Sequence, residues 1–124
     1  MGRKPLFWVR SSRRDLKEFP EDVLDVIGRA LDEAQWGRKP PEAKPLKGFG
    51  GAGVLEIVDD HEGNTYRAVY TVRFPKAVYV LHCFQKKSRK GIATPKAEIS
   101  VIKSRLADAE REYEKWIKES DKET

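Results

Sequence analysis

Between residues 54 and 85, three stretches rich in strand-forming residues are separated by only two short reversals. Residues 54–59 give way to Asp59-Asp60-His61-Glu62-Gly63-Asn64, a polar turn containing two residues tolerant of positive φ. Residues 64–74 then meet Arg73-Phe74-Pro75-Lys76, a second tight reversal into residues 77–85. Strands joined this closely leave no room for a crossover helix, so they form an antiparallel meander. One face of the middle strand carries Tyr66, Ala68, Tyr70 and Val72; the other carries Arg67, Val69, Thr71 and Arg73. The apolar face demands a cover of helices. The mixed face is left for solvent or a ligand.

The flanks supply the helices. Residues 6–10 read as a first strand, with Phe7 and Val9 alternating against Trp8. Ser11 and Ser12 supply a helix cap, and Leu16 and Phe19 share one face of a short helix. Pro20 suits the first turn of a second helix or a bend between two. Val23, Ile27, Ala30, Leu31 and Ala34 fall on one stripe, so residues 20–36 pack against something. Gly37 ends that pattern and Pro40-Pro41 forbids its return. Near the end, Thr94 is placed as an N-cap and Pro95 as a first helical residue. Ile99, Ile102, Leu106, Ala109, Tyr113 and Trp116 then repeat at three- and four-residue spacing. The acidic turns after Asp108 read as a solvated face, and residues 120–124 as a fraying end. The order is strand, helix, helix, meander, helix. It predicts one α+β domain over residues 1–124, with its core at about 6–117.

The formal charge of +5 understates an asymmetry. Residues 1–107 carry about +8, because the stretch from Asp108 onward holds more acids than bases. The densest cationic run is Gln85-Lys86-Lys87-Ser88-Arg89-Lys90-Gly91, projecting from the end of the last strand. Cations this close repel one another and favour a polyanion such as a phosphate backbone. Residues 37–53 form a Gly- and Pro-rich connector containing Lys44 and Lys47. It reads either as a turn-laden loop or as a segment whose glycines let cations approach an anion; no Walker pattern is present. The single cysteine, Cys83, excludes an internal disulfide and suits a buried strand position. No apolar run reaches membrane-spanning length, and Met1-Gly2-Arg3-Lys4-Pro5 resembles no secretion signal. Gly2 lacks the Ser or Thr a myristoylation signal wants, since Leu6 stands there. A cytoplasmic protein without a membrane partner is expected.

Few residues invite chemistry. His61 shares its turn with Asp59, Asp60 and Glu62, a solvated tip rather than a calcium loop. His82 sits between Leu81 and Cys83, either hydrogen-bonded within the strand or touching a reacting group. No paired-carboxylate site or nucleophile elbow is recognisable. What remains is a cationic surface: Lys44, Lys47, Arg67, Arg73, Lys86 and Lys87. Arg67 and Arg73 share a face about 20 Å apart, too far for one phosphate but suited to following a backbone. Such groups stabilise the charge that develops when an RNA 2′-hydroxyl attacks its adjacent phosphate, a reaction needing no metal. Lysine serves as its base only if neighbouring cations lower its pKa, as Lys86 and Lys87 do for one another. A basic surface with no chemistry is the other reading.

Three segments carry a resemblance. They are Ala43-Lys44-Pro45-Leu46-Lys47-Gly48-Phe49 with Gly53-Val54-Leu55-Glu56-Ile57, then Tyr66-Arg67-Ala68-Val69-Tyr70, then Val80-Leu81-His82-Cys83-Phe84-Gln85-Lys86-Lys87-Ser88 with Thr94-Pro95. Over about residues 6–110 the chain resembles the phage-derived Gp49-like, HigB-type toxins of the RelE/ParE superfamily. The resemblance implies an N-terminal strand and two helices packed on a curved antiparallel sheet, with a C-terminal helix. It implies a type II toxin held in a hetero-oligomer by a HigA-like helix-turn-helix antitoxin. It also implies cleavage of mRNA on the ribosome without a cofactor. On this basis Lys44 and Lys47 hold RNA or ribosome, Arg67 stabilises the phosphate, and Lys86 and Lys87 bind substrate or move protons. His82 joins the catalytic candidates, and Arg73, Arg89 and Lys90 the RNA-binding ones.

Two departures matter. Glu56-Ile57-Val58 places valine where such toxins often carry arginine, and no C-terminal tyrosine or His-rich ending stands near Lys87. Tyr113 belongs to the last helix's apolar stripe. Alternatives are therefore a ParE-like topoisomerase inhibitor and a catalytically silent RNA- or protein-binding module.

Overall fold

The computed structural model describes residues 2–51, 53–86 and 93–122. Its elements run β1 (Leu6–Trp8), α1 (Ser12–Lys17), α2 (Glu21–Gln35), β2 (Ala43–Pro45), β3 (Val54–His61), β4 (Asn64–Thr71), β5 (Val78–Lys86) and α3 (Lys96–Lys122). The α+β order expected from sequence is present. The five strands form one sheet in the order β1-β5-β4-β3-β2.

The meander is antiparallel throughout, β3 with β4 and β4 with β5. The sheet as a whole is mixed, because β1 lies parallel to β5 at one edge. That corrects the expected all-antiparallel sheet. A strand followed by two helices returns to the sheet through a crossover, which permits parallel pairing. β2 forms the other edge, antiparallel to β3, inside the segment expected to be only a loop. The β3–β4 turn is tighter than the sequence suggested. Positive φ falls on Glu62 (49°) and Gly63 (81°), and Asn64 already pairs with His61. Two left-handed residues match the right-handed twist of the flanking strands, so pairing extends into the polar tip.

Both faces of the sheet are buried. On one, Leu16, Phe19, Val23, Ile27, Ala30, Leu31 and Ala34 pack over Leu55, Ile57, Tyr66, Ala68 and Tyr70. On the other, Ile102 and Ala109, with half-buried Ile99, Leu106, Tyr113 and Trp116, join Val54, Val69, Tyr79 and Leu81. The mixed face of β4 is thus roofed by α3 and the connector rather than left to solvent. Val69 is wholly buried and Arg67 nearly so. The stripes of α2 and α3 fulfil their expected roles, and α3 continues to Lys122, beyond the core end expected at 117. Tyr113 stacks on Phe74 at 4.7 Å within this second core.

One irregularity decides which side chains meet α3. The β4–β5 register shifts between Val69, opposite His82, and Tyr70, opposite Val80. The bulge leaves Leu81 and His82 both directed to the α3 side, while Val78, Val80 and Cys83 belong to the α2-side core. Cys83 is the buried thiol expected; burial raises its pKa to about 12. Ser11 stands at the N-cap of α1 without a capping bond, and the buried Ser12 hydroxyl donates to the Val80 carbonyl at 3.2 Å instead.

The end of α2 is fixed by Gly37, with φ of 82°. Its N–H donates to Ala34 O at 3.0 Å and that of Arg38 to Glu33 O at 3.0 Å, a Schellman pair. Gly37→Ala should cost about 1 kcal/mol, since a Cβ is disfavoured in the left-handed region. Urea unfolding should show a lower midpoint with an unchanged m-value. An unchanged midpoint would show that this turn tolerates a side chain.

Candidate nucleic-acid interface

Polar residues on the α3 side of the sheet stand in cross-strand rows. Lys44 pairs with Glu56, Glu56 with Val69, and Val69 with His82. In the next row Val58 faces Arg67 and Arg67 faces Phe84. Beyond it, Asp60 faces Thr65 and Thr65 faces Lys86. Alternation puts Lys44, Glu56, Val58, Arg67 and Lys86 on one face.

Glu56 and Arg67 are each 1% exposed. Arg67 Nη1 donates to Glu56 Oε1 at 3.1 Å and to Thr94 Oγ1 at 3.0 Å. The Thr94 hydroxyl donates in turn to Glu56 Oε2 at 2.6 Å. The ring closes across β3, β4 and the residues leading into α3. A buried charge pair of this kind persists only when its remaining hydrogen-bonding capacity is also met, which Thr94 helps to do. Thr94, expected as an N-cap, has its hydroxyl committed to the sheet.

This ring forms the wall of a cavity of about 280 Å³, with Lys44, Pro45, Leu46, Lys47, Ala93 and Ile99. Lys44 and Lys47 are exposed. Three of the cations expected from sequence, Lys44, Lys47 and Arg67, therefore meet at one pocket. Arg67 is not a free surface cation, because its charge is balanced by Glu56. The net positive field of the cavity lining comes from the two lysines.

The other candidates are placed differently. Lys86 is half-buried, and its ammonium donates to the Ala93 carbonyl at 3.0 Å, beside the cavity wall. Lys87, Arg89 and Lys90 lie outside the described residues. Arg73 stands beyond the end of β4 and donates to the Phe49 carbonyl, clamping the connector. A Cβ on Gly53 would overlap the Arg73 side chain, so this glycine is needed for close approach. His82 does not line the pocket. Arg105 Nη1 donates to His82 Nδ1 at 3.2 Å, so Nδ1 is the acceptor and Nε2 carries the proton shared with Glu98 Oε2 at 2.6 Å. Arg105 also reaches Leu81 O and Ser11 Oγ, each at 3.1 Å. His82 fastens α3 to β5. His61 lies at the β3–β4 tip, 4.0 Å from Glu62.

Sequence reasoning missed Glu56 and Thr94 as members of the site. The signal for Glu56 was a carboxylate inside an apolar strand, which requires a buried partner. Among the described residues no three His, Cys, Asp or Glu side chains gather to hold a metal ion. No helix among them is long and apolar enough to cross a membrane.

Residues 14–107 match the family described as phage-derived protein Gp49-like. The chain belongs to that family. The Gp49-like match spans the β2–β3 cations, the Arg67 strand and the head of α3 together. No curated protein matches the chain significantly. Among solved structures, it is similar to a chain of the toxin–antitoxin complex RelBE2 from Mycobacterium tuberculosis. The identity is 22%, covering 71% of this chain and 97% of that one, with a TM-score of 0.45.

Two predictions follow from the geometry of these charges. Glu56→Ala should lower stability by about 3–5 kcal/mol, since it strands a buried guanidinium. The apolar pair Glu56→Leu with Arg67→Met should recover much of that loss in urea unfolding. A Glu56→Ala protein as stable as the native chain would exclude a structural role for the ring.

Asp108 gives the pH dependence. The Arg10 hydrogen bond, at 3.0 Å, holds its pKa below the ordinary 3.8, with the charges of Arg10 and Arg111 adding to the effect. A depressed carboxylate contributes stability that is fully present above its unfolded value and lost as pH falls through the folded one. The stability gap between the native chain and Asp108→Asn should therefore be constant near neutrality and shrink below about pH 4. A gap that stays constant in acid would remove the Arg10–Asp108 pair as its source.

Proposed function

We propose that this Gp49-like protein is the toxin of a type II toxin–antitoxin pair and cleaves mRNA on the ribosome. The observation that supports this best is the pocket where Lys44, Lys47 and the Glu56–Arg67–Thr94 ring meet. A phosphodiester lodged there is held by the two exposed ammonium groups, and Arg67 approaches it from the wall. The 2′-oxygen forms a bond to phosphorus, the bond to the 5′-oxygen breaks, and a cyclic phosphate and a 5′-hydroxyl result. One proton leaves the attacking hydroxyl and one reaches the departing oxygen. Lys86, whose ammonium donates to Ala93 O beside the pocket, is our candidate for that transfer. The nucleophile is supplied by RNA itself, so the step calls for no cofactor. A helix-turn-helix antitoxin of the HigA type is the partner this reading entails.

A second reading rests on Val58. It stands directly opposite Arg67, on the same face, and offers no donor. With Arg67 already balanced by Glu56, the pocket then binds RNA without cutting it.

Primer-extension mapping on programmed ribosomes separates the two, using native chain and Lys44→Ala/Lys47→Ala, whose side chains are exposed and outside the core. Ribosome-dependent cuts that fall at least about tenfold in the double variant fit a charge-assisted site. No cuts, with RNA still bound, would leave the silent module. No cuts and no RNA binding, with growth arrest retained, would leave a ParE-like action on a topoisomerase.

A further inference from the structure

On the opposite face of the sheet lies a second cavity, of about 370 Å³, at the C-terminal end of α2. Its apolar lining comes from Ala34, Pro45, Leu55, Tyr70 and Val72. Lys4, Arg38 and Lys39 also line it, and Arg38 and Lys39 are exposed. The one anion paired with these cations in the described structure is Glu33, 2.8 Å from Arg38 and itself partly exposed. Tyr70 is 1% exposed. Trp36, the large hydrophobic residue most exposed on the described surface, immediately precedes Gly37, which also lines the groove.

We propose that this groove docks an acidic peptide segment of a partner protein, carrying aliphatic side chains that fill the floor. Three cations around an apolar trough complement carboxylates flanking apolar anchors. Apart from the Tyr70 hydroxyl the floor is apolar and offers no paired donors and acceptors to read a base edge, which favours a peptide over a nucleotide. The groove and the proposed RNA pocket lie on opposite faces of the edge strand β2. Pro45 lines both, but Lys44 belongs only to the pocket and Leu55 only to the groove. The two occupants therefore bind together rather than in competition, and the docking does not depend on the RNA reading.

The probe is a 15-residue amphipathic peptide of Leu, Ala and Glu, compared with the same peptide carrying Lys for Glu. Calorimetry measures affinity, and amide NMR shifts locate binding on the intact chain. The Glu peptide should bind, shift Leu55, Tyr70 and Val72, and lose at least about tenfold in affinity to Arg38→Glu/Lys39→Glu. A single-stranded RNA oligomer should leave that affinity unchanged. No binding, equal binding of the Lys peptide, or insensitivity of the folded charge-reversed chain would overturn the proposal. Displacement of the peptide by RNA with shifts at the same residues would make nucleic acid the occupant and overturn it as well.

Discussion

The Glu56–Arg67–Thr94 ring is the interaction on which the α3 side of the molecule depends. A guanidinium and a carboxylate on adjacent strands cannot be roofed by a helix unless their charges cancel and their hydrogen-bonding capacity is met. Arg67 and Glu56 supply the cancellation, and Thr94 ties both to the residues leading into α3. The ring thus lets an otherwise apolar core, from Val69 to Ile102, close over a sheet face carrying fixed charges. It also sets the depth of the pocket, whose wall is this ring and whose lysines face solvent.

Three further fastenings act along the same helix. Glu98 and Arg105 grip the two nitrogens of His82, and Asp108 receives Arg10. Thr94, Glu98, Arg105 and Asp108 are spaced to fall on one side of α3 and its approach. The bulge in β5 makes this possible, because it presents Leu81 and His82 on one side together. A histidine that looked like a catalytic candidate is a joint between strand and helix.

What the sequence disclosed, and what it withheld, divides along the range of the interactions. The stripes of α2 and α3 were legible because each is a local periodicity, confirmed by every apolar residue that defines it. The meander was legible from turn spacing. The parallel β1–β5 pairing was not, since it joins Leu6 to Val78 across two helices and the rest of the sheet. Nor was β2, three residues with a proline, whose strand identity comes only from pairing with β3. Lys44 and Lys47 stood out as candidates because surface cations announce themselves by charge, and both line one cavity. Glu56 and Thr94 were missed because their role is defined by a partner far along the chain. Arg73 carries the same charge as Lys47, yet its guanidinium is committed to the backbone of the connector.

The division of charge bears on what the pocket does to a phosphate. Arg67 lies beside any anion in the pocket, but Glu56 already balances it, so moving a phosphate inward gains little net attraction from that pair. On the RNA reading, binding strength rests on Lys44 and Lys47, which are exposed and screened by salt. Transition-state stabilisation is a different demand: it needs donors fixed where charge develops, in a site that excludes water. Val58 supplies none from the row where one would face Arg67. On the RNA reading, this distribution favours holding a strand over cutting it quickly, and the rate of any cut rests on how far substrate binding draws Arg67 away from Glu56.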